Sequence, residues 1–250
     1  MSMRERDFKM KKKKRSKILV PLDGSDRALN TVRYVARFDP FRHMDIVLFH
    51  VFSSVPEGYW DLEKDPSSTS TVRQVKAWEV QQRKIIEQYM EQANKLLLKV
   101  GYSAESIATK IQNRKKGIAR DIIREARNGY GAVVTRRRGM TGLRRIVLGS
   151  VATKLMAKLA FVPLILVGKR TPNNKILVAF DGSENAKGAV EFVGSLLGGL
   201  DYEVSLFHVF RSNEEGLPEH QHILSPKEYY KFARKEMAAS LNAALSLIHI

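Results

Sequence analysis

The 250 residues carry 43 Lys and Arg against 26 Asp and Glu, and the formal charge of +17 favours association with anions: nucleotides, nucleic acids or acidic membranes. There is no cysteine, which excludes disulfides and thiolate metal sites and fits a reducing, cytoplasmic setting, and the six histidines lack ligand-like spacing. At 44% apolar residues the chain has material for one or two ordinary domains, while its most apolar run, Leu159 to Gly168, is too short to cross a membrane and is broken by Pro163.

Residues 1–16 read as a flexible basic tail. The run Lys11 to Lys14 repels itself, and no apolar core follows that would make a secretory signal. It serves either as a solubilising arm or as a tether for nucleic acid or lipid. Ile18 to Leu22 is an apolar strand, with Pro21 near its end. Asp23 to Asp26 is a turn, and Ser25 or Asp26 is expected to cap a helix running to about Phe38, with Ala28, Val32, Val35 and Ala36 inward. Asp45 to Phe52 is a second strand, apolar enough to be covered on both faces. Ser53 to Ser70 reads as a loop or partial lid carrying Tyr59 and Trp60. Thr71 to Lys99 is a long helix with Ala77, Ile85, Tyr89, Ala93 and Leu96 at helical intervals, stopped by Gly101. A third strand, Ser106 to Ile111, precedes a helix over 116–128 with Ile118, Ile122, Ile123 and Ala126 inward. Ala132 to Thr135 is a fourth strand, a helix starts near Val151, and Pro163 to Val167 is a fifth strand.

Strands alternating with helices predict an α/β fold with a mostly parallel sheet and right-handed crossovers. After a linker over 170–174 the pattern restarts. KILVAFDGS echoes KILVPLDGS, and VSLFHVF echoes IVLFHVF. The division expected is a tail at 1–16, a complete domain at 17–169, the linker, and a partial second copy at 175–250 holding the first half only. Such a half-sheet exposes an edge and apolar surface.

The stretch that organises the chain is Thr135 to Val151, TRRRGMTGLRRIVLGSV. A strand, a glycine-bearing basic loop and a helix start form a ready anion site, because free amides at the helix start face a bound phosphate. Ser150 offers a hydroxyl for capping or for a ligand oxygen. Asp23, Val51 and Thr135 all fall at carboxyl ends of strands, where open α/β sheets bind ligands. No phosphate loop of the GKS or GKT kind is present, and no catalytic Ser-His-Asp set is readable. Without a helix-turn-helix, zinc-finger or zipper pattern, nucleic-acid contact is expected to be weak and non-specific.

VPLDGSDRALNTVRYVA resembles the opening of a universal stress protein (UspA-like) domain, and RRRGMTGLRRIVLGSVATKLMAKLAFVPLILVG resembles its closing half. The family's nucleotide signature is Gly, two residues, Gly, nine residues, Gly, then Ser or Thr. Here Gly139, Gly149 and Ser150 match, and Arg136 stands at the first glycine. The resemblance implies an adenine-nucleotide alpha-hydrolase-like (Rossmann-like) open sheet in the order 3-2-1-4-5. It further implies ATP binding, with magnesium, in a regulatory role and little or no turnover. By position, Pro21, Leu22 and Asp23 correspond to adenine and ribose contacts, and Val51 to the backbone that reads the adenine edge. Thr135, Arg136 and Gly139 correspond to the ribose–phosphate loop, and Gly149, Ser150 and Val151 to the phosphate-binding helix start. Where the family's glycine allows close approach or positive φ, Arg136 brings bulk and a backbone penalty. It either fills the pocket or swings outward to grip a phosphate. Family members pair through the last strand, which implies a homodimer through residues 163–167. The other reading is a nucleotide-free interaction protein engaging anionic polymers.

Overall fold

The computed structural model describes residues 16–54, 69–137, 149–168, 173–209 and 226–246. Residues 1–15 of the expected tail, the loop over 55–68 with Tyr59 and Trp60, and the glycine loop over 138–148 lie outside them, as do 169–172. The chain divides into two compact units, Met1–Thr171 and Pro172–Ile250.

In unit one the strands β1 (Lys17–Pro21), β2 (Asp45–Phe52), β3 (Ile107–Asn113), β4 (Ala132–Arg136) and β5 (Leu164–Val167) form one parallel sheet. Its order is 3-2-1-4-5. Four helices flank it: α1 (Leu29–Arg37), α2 (Thr69–Lys99), α3 (Ile118–Ala126) and α4 (Ser150–Lys158). The central strand is covered on both faces, which is why it reads as unbroken Ile18-Leu19-Val20, all fully buried. On one face Leu19, Phe49, Val51 and Val133 meet Ala119, Ile122 and Ala126 of α3 together with Leu155 and Leu159. Each large side chain so buried contributes about 1.5–3 kcal/mol of transfer free energy. The helices α1 and α2 pack on one another, as do α3 and α4.

Several elements differ from their sequence reading. The first helix begins at Leu29 rather than at Ser25 or Asp26. Ser25 Oγ does accept from Ala28 N at 3.2 Å, but the Ser25 carbonyl takes that same amide at 2.9 Å and the Tyr89 hydroxyl at 3.0 Å, so the first turn is wound tighter than an α-helix. In α2 the buried stripe is Val72, Tyr89, Met90, Ala93 and Leu97, while Ala77 and Ile85 are exposed. The third strand runs two residues further than expected, to Asn113, because it pairs with β2 as far as Phe52. The helix expected over 116–128 is shorter at both ends. Gly117, at φ 128°, precedes it, and the Asp121 carboxylate takes the amides of Lys115, Lys116 and Gly117 in a non-helical turn. Ile118 consequently faces outward. Pro163 precedes β5, its carbonyl accepting from Val133 N.

Unit two holds β6 (Lys175–Ala179), α5 (Glu184–Leu197), β7 (Glu203–Phe207) and α6 (Pro226–Ser246). Its two strands are parallel. Val178, Phe180, Ala186, Val190 and Ala244 form its core. Leu177 and Phe207 are 67% and 52% exposed, whereas the residues they echo in unit one, Leu19 and Phe49, are 0% exposed.

Candidate functional site

Strand order fixes where unit one opens. From β1 the chain moves outward through β2 and β3, then returns to the other side of β1 as β4 and β5. The order therefore reverses between β1 and β4, and a crevice is expected outside their carboxyl ends. Backbone pairing agrees. The β1–β4 ladder comprises Ile18↔Ala132 and Leu19↔Val133, although both strands continue beyond it. Proline helps to end it. The Lys17 carbonyl accepts from Gly131 N on the β4 side, and Leu22 N donates to the Phe49 carbonyl on the β2 side. Alternation along the strand therefore turns Pro21 toward β4, where it has no N–H to give.

Past Pro21 the backbone turns. Leu22 is buried, and the exposed Asp23 accepts from Ser25 N at 3.0 Å and from Ser25 Oγ at 2.6 Å, both on Oδ1. Gly24 has φ 81°, a conformation that disfavours any side chain. Beneath the turn lies His50 of β2, 7% exposed, with Nδ1 2.9 Å from the Leu22 carbonyl. Burial holds the His50 imidazole below its ordinary value, against the opposing pull of the Leu22 bond and the Asp23 charge. Burial also pushes the Tyr89 hydroxyl upward, with Asp23 and Asp26 adding to the effect. Two carbonyls of the Asp23 corner, those of Leu22 and Ser25, are thus held by side chains from β2 and α2.

At the end of β4, Thr135 is buried and Arg136 half-buried. Arg136 is paired with Val167 in extended backbone, and Arg137 N donates to the Val167 carbonyl at 2.9 Å. The expected backbone penalty at Arg136 is absent, since no described non-glycine residue has positive φ. Gly139 lies outside the described residues. Gly149 occupies the N-cap of α4 at φ −67°, open to any residue. Ser150 does not cap the helix. It is exposed at the first helical position, and α4 begins without a side-chain cap. Val151 is half-buried against the α3–α4 core, and Val51 is part of that core, which leaves its backbone alone to meet a ligand. The sheet thus brings Pro21, Leu22, Asp23, Val51, Thr135 and Arg136 to one edge. Because α4 must run back against the parallel strands, its start lies on that same side.

Reading residues alone missed His50. The signal was the FHVF repeat, for unit two repeats the corner. Asp181 Oδ1 accepts from Ser183 N at 3.0 Å, Gly182 has φ 82°, and His208 Nδ1 lies 2.7 Å from the Phe180 carbonyl. The side-chain and backbone bonds from Ser183 hold the Asp181 carboxyl below its usual range. Sequence also missed Asp121. Burial acts to raise its carboxyl, but the amides of Lys115, Lys116 and Gly117 and the Arg124 charge outweigh it and keep it low. Among the described residues no group of three or more His, Asp or Glu is placed to hold a metal. No helix among them is long and apolar enough to cross a membrane.

A model of the universal stress protein family matches residues 14–168 and again 172–250. No curated protein matches the chain significantly. Among solved structures, a universal stress protein from Archaeoglobus fulgidus DSM 4304 is 19% identical with a TM-score of 0.51, covering 89% of this chain and 73% of its own. Another from Archaeoglobus fulgidus is 20% identical, TM-score 0.45, over 61% of this chain and 98% of its own. A universal stress protein in complex with cAMP is 13% identical, TM-score 0.40, over 62% and 98%. At 19% identity the first of these is a likeness of fold alone.

Proposed function

The chain belongs to the universal stress protein family, as two tandem repeats of which the second is the shorter, and from that premise we propose that unit one binds an adenine nucleotide, ATP with magnesium, as a switch or structural ligand with little or no turnover. The observation that carries this reading is the β1–β4 ladder ending short at Pro21, with the Asp23 turn at its mouth. In this reading Asp23 accepts a ribose hydroxyl, and the Val51 backbone meets the adenine edge. The polyphosphate rests near Thr135, Arg136 and Gly139 and on the uncapped amides of Gly149, Ser150 and Val151. Arg136, free of backbone strain, grips a phosphate rather than filling the crevice. Magnesium sits on the phosphates, since Asp23 alone is too few ligands.

The same reading has a cytoplasmic homodimer paired through residues 163–167. The half-buried Leu164, Ile165 and Leu166 on the edge strand β5 support that pairing. The expected division at 1–16, 17–169, 170–174 and 175–250 is retained. A native mass spectrum of freshly purified protein tests the nucleotide. We expect adduct masses of an adenine nucleotide, and with ATP-magnesium at a hundredfold over Kd a melting rise of about 5–10 °C, from about 2.7 kcal/mol of linkage. No adduct and no shift at millimolar ATP would overturn the reading.

A further inference from the structure

The two helical layers of unit one differ in charge. On α2, acids and bases are mixed: Arg83 pairs with Glu87 and Lys95 with Glu91. The α3–α4 layer has no exposed carboxylate. The α4 sequence SVATKLMAK contains no acid, and the two acids of α3, Asp121 and Glu125, are both buried. Asp121 is held by three backbone amides, and Glu125 by Lys110 at 2.6 Å, the Tyr130 hydroxyl at 2.7 Å and Asn128 at 3.1 Å. What faces solvent is Lys116, Arg120, Arg124 and Arg127, with Lys154 and Lys158 on the neighbouring helix.

Arg120, Arg124 and Arg127 follow helical spacing, so these cations form one stripe opposite the buried Ala119, Ile122 and Ala126, and the exposed Lys116 stands in the turn just before the helix. At about 1.5 Å per residue, Arg120, Arg124 and Arg127 stand about 4.5–6 Å apart along the axis, on the order of the phosphate step of a nucleic-acid strand. The stripe ends on an aromatic. The Arg127 guanidinium lies 4.6 Å over the ring of Phe161, which is 45% exposed. Cations that track a backbone, beside a ring on which a base stacks, are what sequence-indifferent single-strand binding requires.

We propose that the outer face of α3 and α4, centred on Lys116, Arg120, Arg127 and Phe161, is a docking surface for single-stranded nucleic acid. The face suits a strand better than a lipid surface. Of its exposed apolar residues, Ile118 and Phe161 lie at opposite ends of the stripe, which does not make the apolar face of a membrane-inserting helix. The inference is independent of nucleotide binding at the β1–β4 edge.

The test is fluorescence anisotropy with the full chain and a labelled twenty-nucleotide oligouridine across a salt series. The variant Lys116→Glu, Arg120→Glu, Arg127→Glu avoids Arg124, which lies 3.8 Å from buried Asp121. It should bind about tenfold or more weakly, with the slope of log K against log salt reduced by about 2, from about 0.7 per lost phosphate contact on a single strand. Phe161→Ala should weaken binding severalfold and leave that slope unchanged. Equal reversal of the exposed Arg73, Lys84 and Lys99 on α2 should cost far less. An equal loss from the α2 reversals, or undiminished binding by the α3 variant, would overturn the proposal. So would sedimentation with anionic vesicles by a chain that leaves the oligonucleotide unbound.

Discussion

Replacing His50 by Leu isolates the bond that holds the Asp23 corner. The imidazole is 7% exposed and its Nδ1 lies 2.9 Å from the Leu22 carbonyl. Leucine fills much of the space but strands that carbonyl, at a cost of about 1–3 kcal/mol. For a unit of this size each kcal/mol moves the melting temperature by about 2–4 °C, so a fall of about 2–12 °C is expected. Asparagine offers an amide N–H close to where Nδ1 stands and should recover at least half of the loss. A second readout comes from protons. Burial holds folded His50 below 6.5, so as pH falls through 6.5 the unfolded chain takes up a proton that the folded protein refuses. Stability from this group is therefore full above 6.5 and declines below it, and His50→Asn should lack that decline. Scanning calorimetry over a pH series measures both effects. A leucine variant melting within about 1 °C of wild type, or identical pH slopes for wild type and His50→Asn, would refute the argument.

Arg136→Ala tests which way that side chain works. Loss of a charged hydrogen-bonding contact to phosphate should weaken ATP binding about 10–100-fold, whereas tighter binding would mean that the arginine fills the crevice. Asp121 and Glu125 are both held below their ordinary 3.8 and 4.5. Their contribution is present above those values and lost as pH falls toward the folded ones, so the melting temperature should drop below about pH 4.5. Asp121→Asn should start less stable at neutral pH and fall less steeply in acid, and parallel curves would contradict this. Ile165→Lys on β5 should convert a dimer to a monomer by light scattering, and an unchanged mass would remove that strand from the interface.

The sheet was legible because burial writes itself into sequence most plainly where it is complete. Ile18-Leu19-Val20 and the run through Phe52 admit no reading but a strand covered on both faces. Edge strand β3 mixes Lys110 and Gln112 with apolar residues, so its end was misjudged. On α2 the apolar residues surround the helix: Trp78, Val80, Ile85 and Leu98 are exposed. Periodicity alone could not pick Leu97 over Leu96. The DGS motif predicted both turns but not both helix starts. Ser183 caps α5 directly, its carbonyl accepting from Lys187 N, while at Ser25 the Tyr89 hydroxyl shares the carbonyl and the helix waits until Leu29. That difference arises from a contact spanning 64 residues, which local sequence does not encode. The missed His50 and Asp121 are likewise polar groups whose roles depend on the backbone atoms that folding brings to them.

The most direct test of nucleotide binding at the β1–β4 edge is a calorimetric titration of ATP-magnesium into wild type and Asp23→Ala side by side. Wild type should bind one nucleotide per chain, and affinity should fall about tenfold or more when the ribose acceptor is removed. A wild type that releases no heat at millimolar ATP, or an Asp23→Ala protein that binds equally well, would contradict it.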